Sequence, residues 1–416
     1  MRSTVLITLL CASSASAQTT TILRPARVFD GREVHPGWEV TVTDERIAST
    51  GPAATARPAG VRVLDLPGMT LLPGVIEGHS HLLLHPYNET AWNDQVLHEP
   101  LALRVARATV SARATLLAGV TTTRDLGTEG AGYADVGLRD AIAQGIIPGP
   151  RMLVTTRAIV ATGSYGPRGA PEWELPLGAE PADGVDELTR VVRDQAGRGA
   201  DWIKVYADYR WGPNGEARPS FTQSELNLIV EVAASSGRPV VAHAASAEGM
   251  RRATLAGVKT IEHGDGGTPE VFRLMAERGV ALCPTLGATD ATAQYAGWKK
   301  GVDPEPARVA AKRAELRAAL AAGVRICFGG DVGVYPHGDN VRELELLVEY
   351  GMSARDAVIA ATSGNAQILG LDDSRGSIRV GLLADLIAVD GDPTTAISAL
   401  RNVRMVMKGG ALVHQP

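Results

Sequence analysis

The sequence predicts an α/β protein: a (β/α)8 barrel of the TIM-like kind, with a small β-sandwich domain built from both chain ends. Three observations predict it. Strand and helix signals alternate eight times through the middle of the 416-residue chain. Both ends are β-rich and broken by turn residues. Reactive side chains fall at the C-terminal ends of the apolar runs, where such a barrel keeps its functional groups.

The first residues, MRSTVLITLLCASSASAQ, hold one arginine, a short apolar stretch, and small residues at Ala15 and Ala17. This is the pattern of a cleavable signal peptide over residues 1–17, and so of a periplasmic or secreted protein. The apolar stretch is far shorter than the ~20 residues of a transmembrane helix, so no membrane span is expected. Leu10 before Cys11 is bulkier than the small residue of a lipidation site.

Residues 18–72 contain TILRPARVFDG, WEVTVTDERIAST and VRVLDLPGM, alternating runs bounded by Gly, Pro and Asp that read as strands of a small antiparallel unit. Residues 373–416, with IRVGLLADLIAVDGD and VRMVMKGGALVHQP, have the same character, and the two ends are expected to meet in one composite sandwich. Between them, residues 73–372 supply the barrel. Its strand candidates are LLPGVIEGHSH, GVTTTRDL, RMLVTTRAI, DWIKVYAD, PVVAHAA, VKTIEHG, VALCPTL and VRICFGGD. Helix-period stretches such as DELTRVVRDQAGRG and TQSELNLIVEVAASSG separate them, several ending in Gly before the next strand. No GxGxxG opens a helix near the start, which weighs against a dinucleotide fold.

A formal net charge of −5 without a basic tract excludes nucleic acid as a partner. Cys283 and Cys327 remain after cleavage, both inside apolar runs. A chain of this size buries a full core without disulfides, so buried free thiols are the expectation, with pairing left open.

Six residues suit metal ligation: His79, His81, Lys204, His243, His263 and Asp331. Alternate residues of a strand share a face, so His79 and His81 point together into the barrel mouth while Ser80 points away. Two adjacent imidazoles there call for a shared cation. His243 and His263 close the fifth and sixth strands and read as ligands of a second metal. Asp331 follows FGG, whose glycines let the backbone approach a metal closely; capping the next helix is its bland alternative. It is the candidate catalytic residue, accepting a proton from the attacking water and passing it to the leaving nitrogen. Lys204 lies inside the apolar run WIKVY, and burial favours its neutral amine. A neutral amine can take up carbon dioxide as a carbamate, a carboxylate-like ligand able to bridge two metals; pairing with Asp201 or Asp208 is the alternative. The donor set tolerates zinc, manganese or cobalt.

The order of these motifs resembles the amidohydrolase superfamily of the binuclear metal type, across nearly the whole mature chain. Within it, HLLLHPYNE, ATGSYGPRG, KVYADYRWGP and GVYPHGDNVRELELLVEYGM are similar to the branch of Xaa-Pro and Xaa-Arg dipeptidases and ochratoxin-hydrolysing amidohydrolases. The resemblance implies two zinc ions bridged by carbamylated Lys204, with His79, His81 and Asp331 on one and His243 and His263 on the other. It also implies a homo-oligomer. Where some relatives carry Gly-Gly-His, this chain has Gly163, Ser164 and Tyr165, so Tyr165 stands in for an imidazole as stabiliser of the transition state.

The expected activity is hydrolysis of the amide bond to a C-terminal amino acid, in a dipeptide or in an N-acyl amino acid such as ochratoxin A. The substrate is thus a small molecule with a free carboxylate. Tyr165, Tyr206, Tyr209, Arg210, Tyr335 and His337 are the candidate substrate-binding residues. Arg210 would pair with the carboxylate through two hydrogen bonds, and His337 would reach the substrate or the oxyanion unless it is a plain loop histidine. Hydrolysis of a cyclic amide or lactone, and a non-catalytic periplasmic binding protein, are the competing readings. His85 and His98 are weaker candidates, and His35 and His414 sit away from the chemistry.

Overall fold

The computed structural model describes residues 19–54, 61–168 and 172–415. The expected leader, residues 1–17, lies outside them.

Both chain ends meet in one eight-stranded sheet. Its central strand, Arg62–Pro73, pairs with Thr20–Phe29 on one side and with Leu386–Asp390 on the other, so a single strand joins the two ends. The sequence reading expected an antiparallel unit, but Thr20–Phe29 and Arg62–Pro73 run parallel. The hairpin of Trp38–Thr43 with Arg46–Pro52 lies between them in the chain and pairs on the far side of Thr20–Phe29. Alternate residues Leu23, Val40, Val42, Leu71, Leu386, Met405 and Met407 pack into a core of their own. Arg62–Pro73 passes through Gly74 straight into Val75–Ser80, the strand that carries His79. A Cβ on Gly74 would overlap the Thr121 side chain, so only glycine fits this junction.

From Val75 onward every strand pairing between successive β/α segments is parallel. Val75–Ser80, Val120–Asp125 and Arg151–Val154 form one sheet. Ile159–Val160, Ile203–Tyr206, Val240–Ala244, Thr260–His263 and Ala281–Cys283 form another, with Glu180–Pro181 at its edge. The run VRICFGGD, expected as the eighth strand, makes one isolated bridge and no ladder, Leu282 to Ile326, and Val332 just after it bridges Ser80. Its amides are nevertheless used on both sides: Cys327 donates to Leu282 O (2.8 Å), and Gly78 donates to Phe328 O (2.9 Å).

Helices pack outside these strands, and their ends carry the expected signals. Thr222 and Glu225 form a reciprocal capping box that starts Gln223–Ser235, which buries Leu226, Ile229, Val232 and Ala233 along one face. Ala247–Ala256 and Pro269–Arg278 begin at Ser246 and Thr268 and end at left-handed Gly257 and Gly279. No helix among the described residues is long and apolar enough to cross a membrane.

Cys283 and Cys327 form a disulfide, correcting the free-thiol expectation. The parallel bridge between Leu282 and Ile326 sets the next residue of each segment side by side, 4.5 Å apart at Cα. The bond closes a separation of 44 residues. Replacing both cysteines by alanine is expected to cost about 2–4 kcal/mol of stability. Denaturant unfolding checks this, and an unchanged midpoint would show that the bond adds nothing to a core already held by packing.

Candidate active site

The strand Val75–Ser80 fixes two histidines by what their Nδ1 atoms bond. His79 Nδ1 donates to Glu262 Oε2 (2.7 Å), and His81 Nδ1 donates to the Gly127 carbonyl (2.8 Å). Ser80, between them, turns away to Thr123 Oγ1 (2.7 Å). With Nδ1 occupied, both Nε2 atoms face Asp331 Oδ1, at 3.4 Å for His79 and 3.3 Å for His81. Donor atoms of His79, His81 and Asp331 all lie within 4.8 Å of one another.

His263 stands beside this group, its ring centroid 5.2 Å from His79 and 4.4 Å from His243. Its Nδ1 bonds Thr285 Oγ1 at 2.8 Å. His243 stacks on Tyr206 and holds a buried Nδ1 with no hydrogen-bond partner among the described residues. Lys204 is fully buried, with Nζ 5.6 Å from the Tyr206 ring centroid. Burial, against the pull of Glu262 and Asp331, pushes its ammonium down to about 8.

Burial and neighbouring charges push His79, His243 and His263 below the usual imidazole range, and the pairing of His81 with Asp331 is the exception. Burial alone would favour a neutral Asp331, but His79, His81 and Lys204 outweigh it and hold the carboxyl below its usual range. Burial also opposes a charged His81, yet its bond to Asp331 raises it to about 9. One carboxylate oxygen facing two imidazole nitrogens is also an arrangement that suits a divalent cation. The two Nε2 atoms and one carboxylate oxygen could hold a divalent metal ion.

Backbone strain collects here. Glu129, His263, Thr285 and Asp331 all adopt positive φ, at 48°, 72°, 53° and 62°. For non-glycine residues this costs of order 1–3 kcal/mol each, and the surrounding bonds must hold it. Arg104 supplies some of them, donating to the carbonyls of Leu83, Thr128 and Glu129.

Above the cluster opens a cavity of about 660 Å³. Tyr165, Tyr206, Tyr209 and Arg210 line it together with His79, His81, His243, His263 and Asp331. Tyr335 and His337 do not. Tyr335 is fully buried, its hydroxyl where a Cβ on Gly287 or Gly330 would fall. His337 Nε2 is held by the Leu84 carbonyl at 3.0 Å. The chain turns at Asp331 and Gly333, both at positive φ, and carries these side chains out of the cavity wall. Tyr165 donates its hydroxyl to Glu129 Oε2 (2.5 Å), which takes it out of the role of a free donor. His85 is bonded to Glu99 and His98 pairs with Asp94 on the surface.

Several residues at the site carry no motif. Glu129, Trp92, Asp265 and Arg308 line the cavity from loops or helix starts. Arg124 and Glu262 form a fully buried ion pair (3.0 Å) beneath it. A signal did exist for Glu262: one residue before His263 in a strand expected inside the barrel, a carboxylate demands a partner.

A parallel-strand α/β scaffold with a buried His-His-Asp cluster at the strand ends defines a hydrolase of the metal-site class. The chain belongs to the amidohydrolase family, whose model matches residues 70–413. It is 30% identical over 439 aligned residues to the ochratoxinase of Aspergillus niger, covering 98% of this chain and 89% of that one. The crystal structure of A. niger ochratoxinase superposes with a TM-score of 0.82 at 28% identity, over 96% of this chain and 97% of that chain. A Xaa-Pro dipeptidase with methionine bound in its active site matches at TM-score 0.84 and 31% identity, over 95% of this chain and 100% of that one. These likenesses give a TIM-barrel-like α/β fold and a hydrolase acting on amide bonds.

Because Glu262 orients His79 from behind, Glu262→Gln is expected to weaken metal affinity by about 10–100-fold. Titration of metal into apoprotein measures this, and an unaltered affinity would mean that packing alone aims the imidazole.

Proposed function

We infer that the protein is a binuclear metal-dependent amidohydrolase of dipeptidase or carboxypeptidase character. It cleaves the amide bond to a C-terminal amino acid in dipeptides or N-acyl amino acids, ochratoxin A with release of phenylalanine among them. The observation that carries this reading is the convergence of His79, His81 and Asp331 on the floor of an aromatic cavity with Arg210 at its exposed rim. The likeness to an ochratoxinase and a Xaa-Pro dipeptidase supports the substrate class.

His79, His81 and Asp331 would hold one ion, His243 and His263 a second, and carbamylated Lys204 would lie between them, with zinc the best fit to the donors. Such ions supply Lewis acidity, polarising a carbonyl and acidifying water at neutral pH. The rest falls to the chain. Asp331 receives a proton and returns it to the departing amine nitrogen. Arg210 pairs with the substrate carboxylate, and the rings of Tyr206 and Tyr209 exclude water from the scissile bond.

The same reading takes the two parallel sheets as one eight-stranded barrel closed through residues 325–332, over residues 73–372. Residues 18–72 and 373–416 then form the sandwich. It also includes a cleaved leader, a periplasmic or secreted location, and a homo-oligomer.

The experiment is mass-spectrometric turnover of a panel of dipeptides, N-acyl amino acids and ochratoxin A by metal-replete enzyme beside Lys204→Ala. Free C-terminal amino acid released by the intact enzyme alone is the expected result, and chelation should abolish it. No turnover anywhere in the panel would remove the peptidase reading and point to cyclic amides or lactones. Arg210→Ala should raise KM for the best substrate by about tenfold with a smaller change in kcat. Unchanged kinetics would count against this arginine as the carboxylate anchor.

A further inference from the structure

One buried charge on the cavity wall takes no part in the reaction above. Glu129 is 4% exposed and lines the same cavity as His81 and Asp331. Trp92 Nε1 (3.0 Å) and Tyr165 Oη (2.5 Å) both donate to its Oε2. Its Oε1 accepts no hydrogen bond from the described residues. Arg104 lies below, but its guanidinium is spent on backbone carbonyls, that of Glu129 included (2.6 Å), and it does not bond the carboxylate.

The free oxygen faces the space over Gly127. A Cβ placed there would sit 3.4 Å from Glu129 Oε1 and 3.8 Å from His81 Cε1, so the carboxylate stands within one small group of the metal-ligand cluster. Aromatic rings surround it. Tyr165 lies 5.3 Å from Trp92, 4.7 Å from Tyr206 and 4.9 Å from Tyr209, centroid to centroid. A largely buried carboxylate with one acceptor open to the cavity beside electron-rich rings is a receptor for a cation.

In an unblocked dipeptide one carbon separates the α-ammonium from the scissile carbonyl. A carbonyl at the His-Asp cluster therefore places the ammonium beside it, within reach of Oε1. An N-acyl amino acid brings no cation there and would cover Oε1 without satisfying it, at a cost. We propose that Glu129 is the specificity residue for the free α-ammonium group of the substrate's N-terminal residue, so that unblocked dipeptides are preferred over N-acylated amino acids, ochratoxin A among them. This rests on the peptidase reading above.

The test compares alanyl-phenylalanine with propionyl-phenylalanine, and alanyl-proline with propionyl-proline, pairs that differ only in the ammonium group. Holoenzyme and Glu129→Gln, which keeps an acceptor for Trp92 and Tyr165, are both assayed for kcat/KM. The wild type is expected to favour the alanyl member by at least about tenfold, and the substitution to reduce that ratio by about tenfold or more. A ratio unmoved by the substitution would leave Glu129 a mere support for Tyr165 and overturn the proposal. So would a wild type that cleaves both members equally, a result that needs no folded variant. Turnover of propionyl compounds alone would overturn the subsite and leave the amidohydrolase reading intact. No turnover of any of the four would overturn both.

Discussion

A carboxylate buried as completely as that of Glu262 costs several kcal/mol unless its charge is met. Three donors meet it: Arg124 Nη2 at 3.0 Å, Thr260 Oγ1 at 2.5 Å and His79 Nδ1 at 2.7 Å. Charge and hydrogen bonds overcome the burial and hold the carboxyl down at about 2, fully ionised. Arg124 in turn donates to the Gly78 carbonyl (2.8 Å) and lies over the Trp202 ring (4.6 Å). One ion pair thus sets the relative register of the strands Val75–Ser80, Val120–Asp125 and Thr260–His263, and of the segment leading into Ile203–Tyr206. Those are strands that deliver His79, His263 and Lys204. The direction of the first imidazole at the site is a consequence of how the interior neutralises its own charge.

The loops above that layer are held by a second principle, the satisfaction of carbonyls. Arg104 is almost wholly buried and spends its guanidinium on backbone oxygens from the loops after Val75–Ser80 and Val120–Asp125. Glu77 does the converse, accepting from the amides of His79 (3.2 Å) and Gly330 (2.9 Å) and from Asn340 Nδ2 (2.9 Å). These bonds leave the chain near Asp331 little freedom, which is how four non-glycine residues at positive φ persist around one cavity. The irregular segment at residues 325–332 belongs to the same economy of amides. Gly330 turns its N–H to the Glu77 side chain where a ladder would have bonded a neighbouring strand.

What was legible in the sequence is what repeats or alternates. The i, i+2 spacing puts His79 and His81 together because a strand has no other way to place them. Thr222 with Glu225, and the glycines Gly257 and Gly279, mark helix ends through chemistry local to four or five residues. The failures are all non-local. Cys283 and Cys327 pair because two parallel segments take one register and not another, and no pattern within either run encodes that choice. Tyr335 and His337 follow Asp331 closely, yet the positive φ of Asp331 and Gly333 redirects the chain before it reaches them. The parallel pairing in the end sheet depends on the order of strands, Arg62–Pro73 taking one side of Thr20–Phe29 and the hairpin the other, which strand composition does not report. Glu129 occupies a loop of small residues whose role appears only once Trp92 and Tyr165 arrive from elsewhere.

Charge at the cavity is graded by depth. Glu129 and Asp331 lie inside, while Arg210 and Arg308 are exposed at the rim. A charge in contact with water is screened within about a Debye length, so the arginines act mainly on encounter and orientation. A carboxylate enclosed by rings interacts through a far lower effective dielectric, and the same unit charge discriminates more strongly there. Under the proposed reading this grading would be directional for a small zwitterion, the outer cations meeting its carboxylate end and the inner anion its other end. On that reading the buried carboxylate would set selectivity, and the rim would contribute capture more than choice.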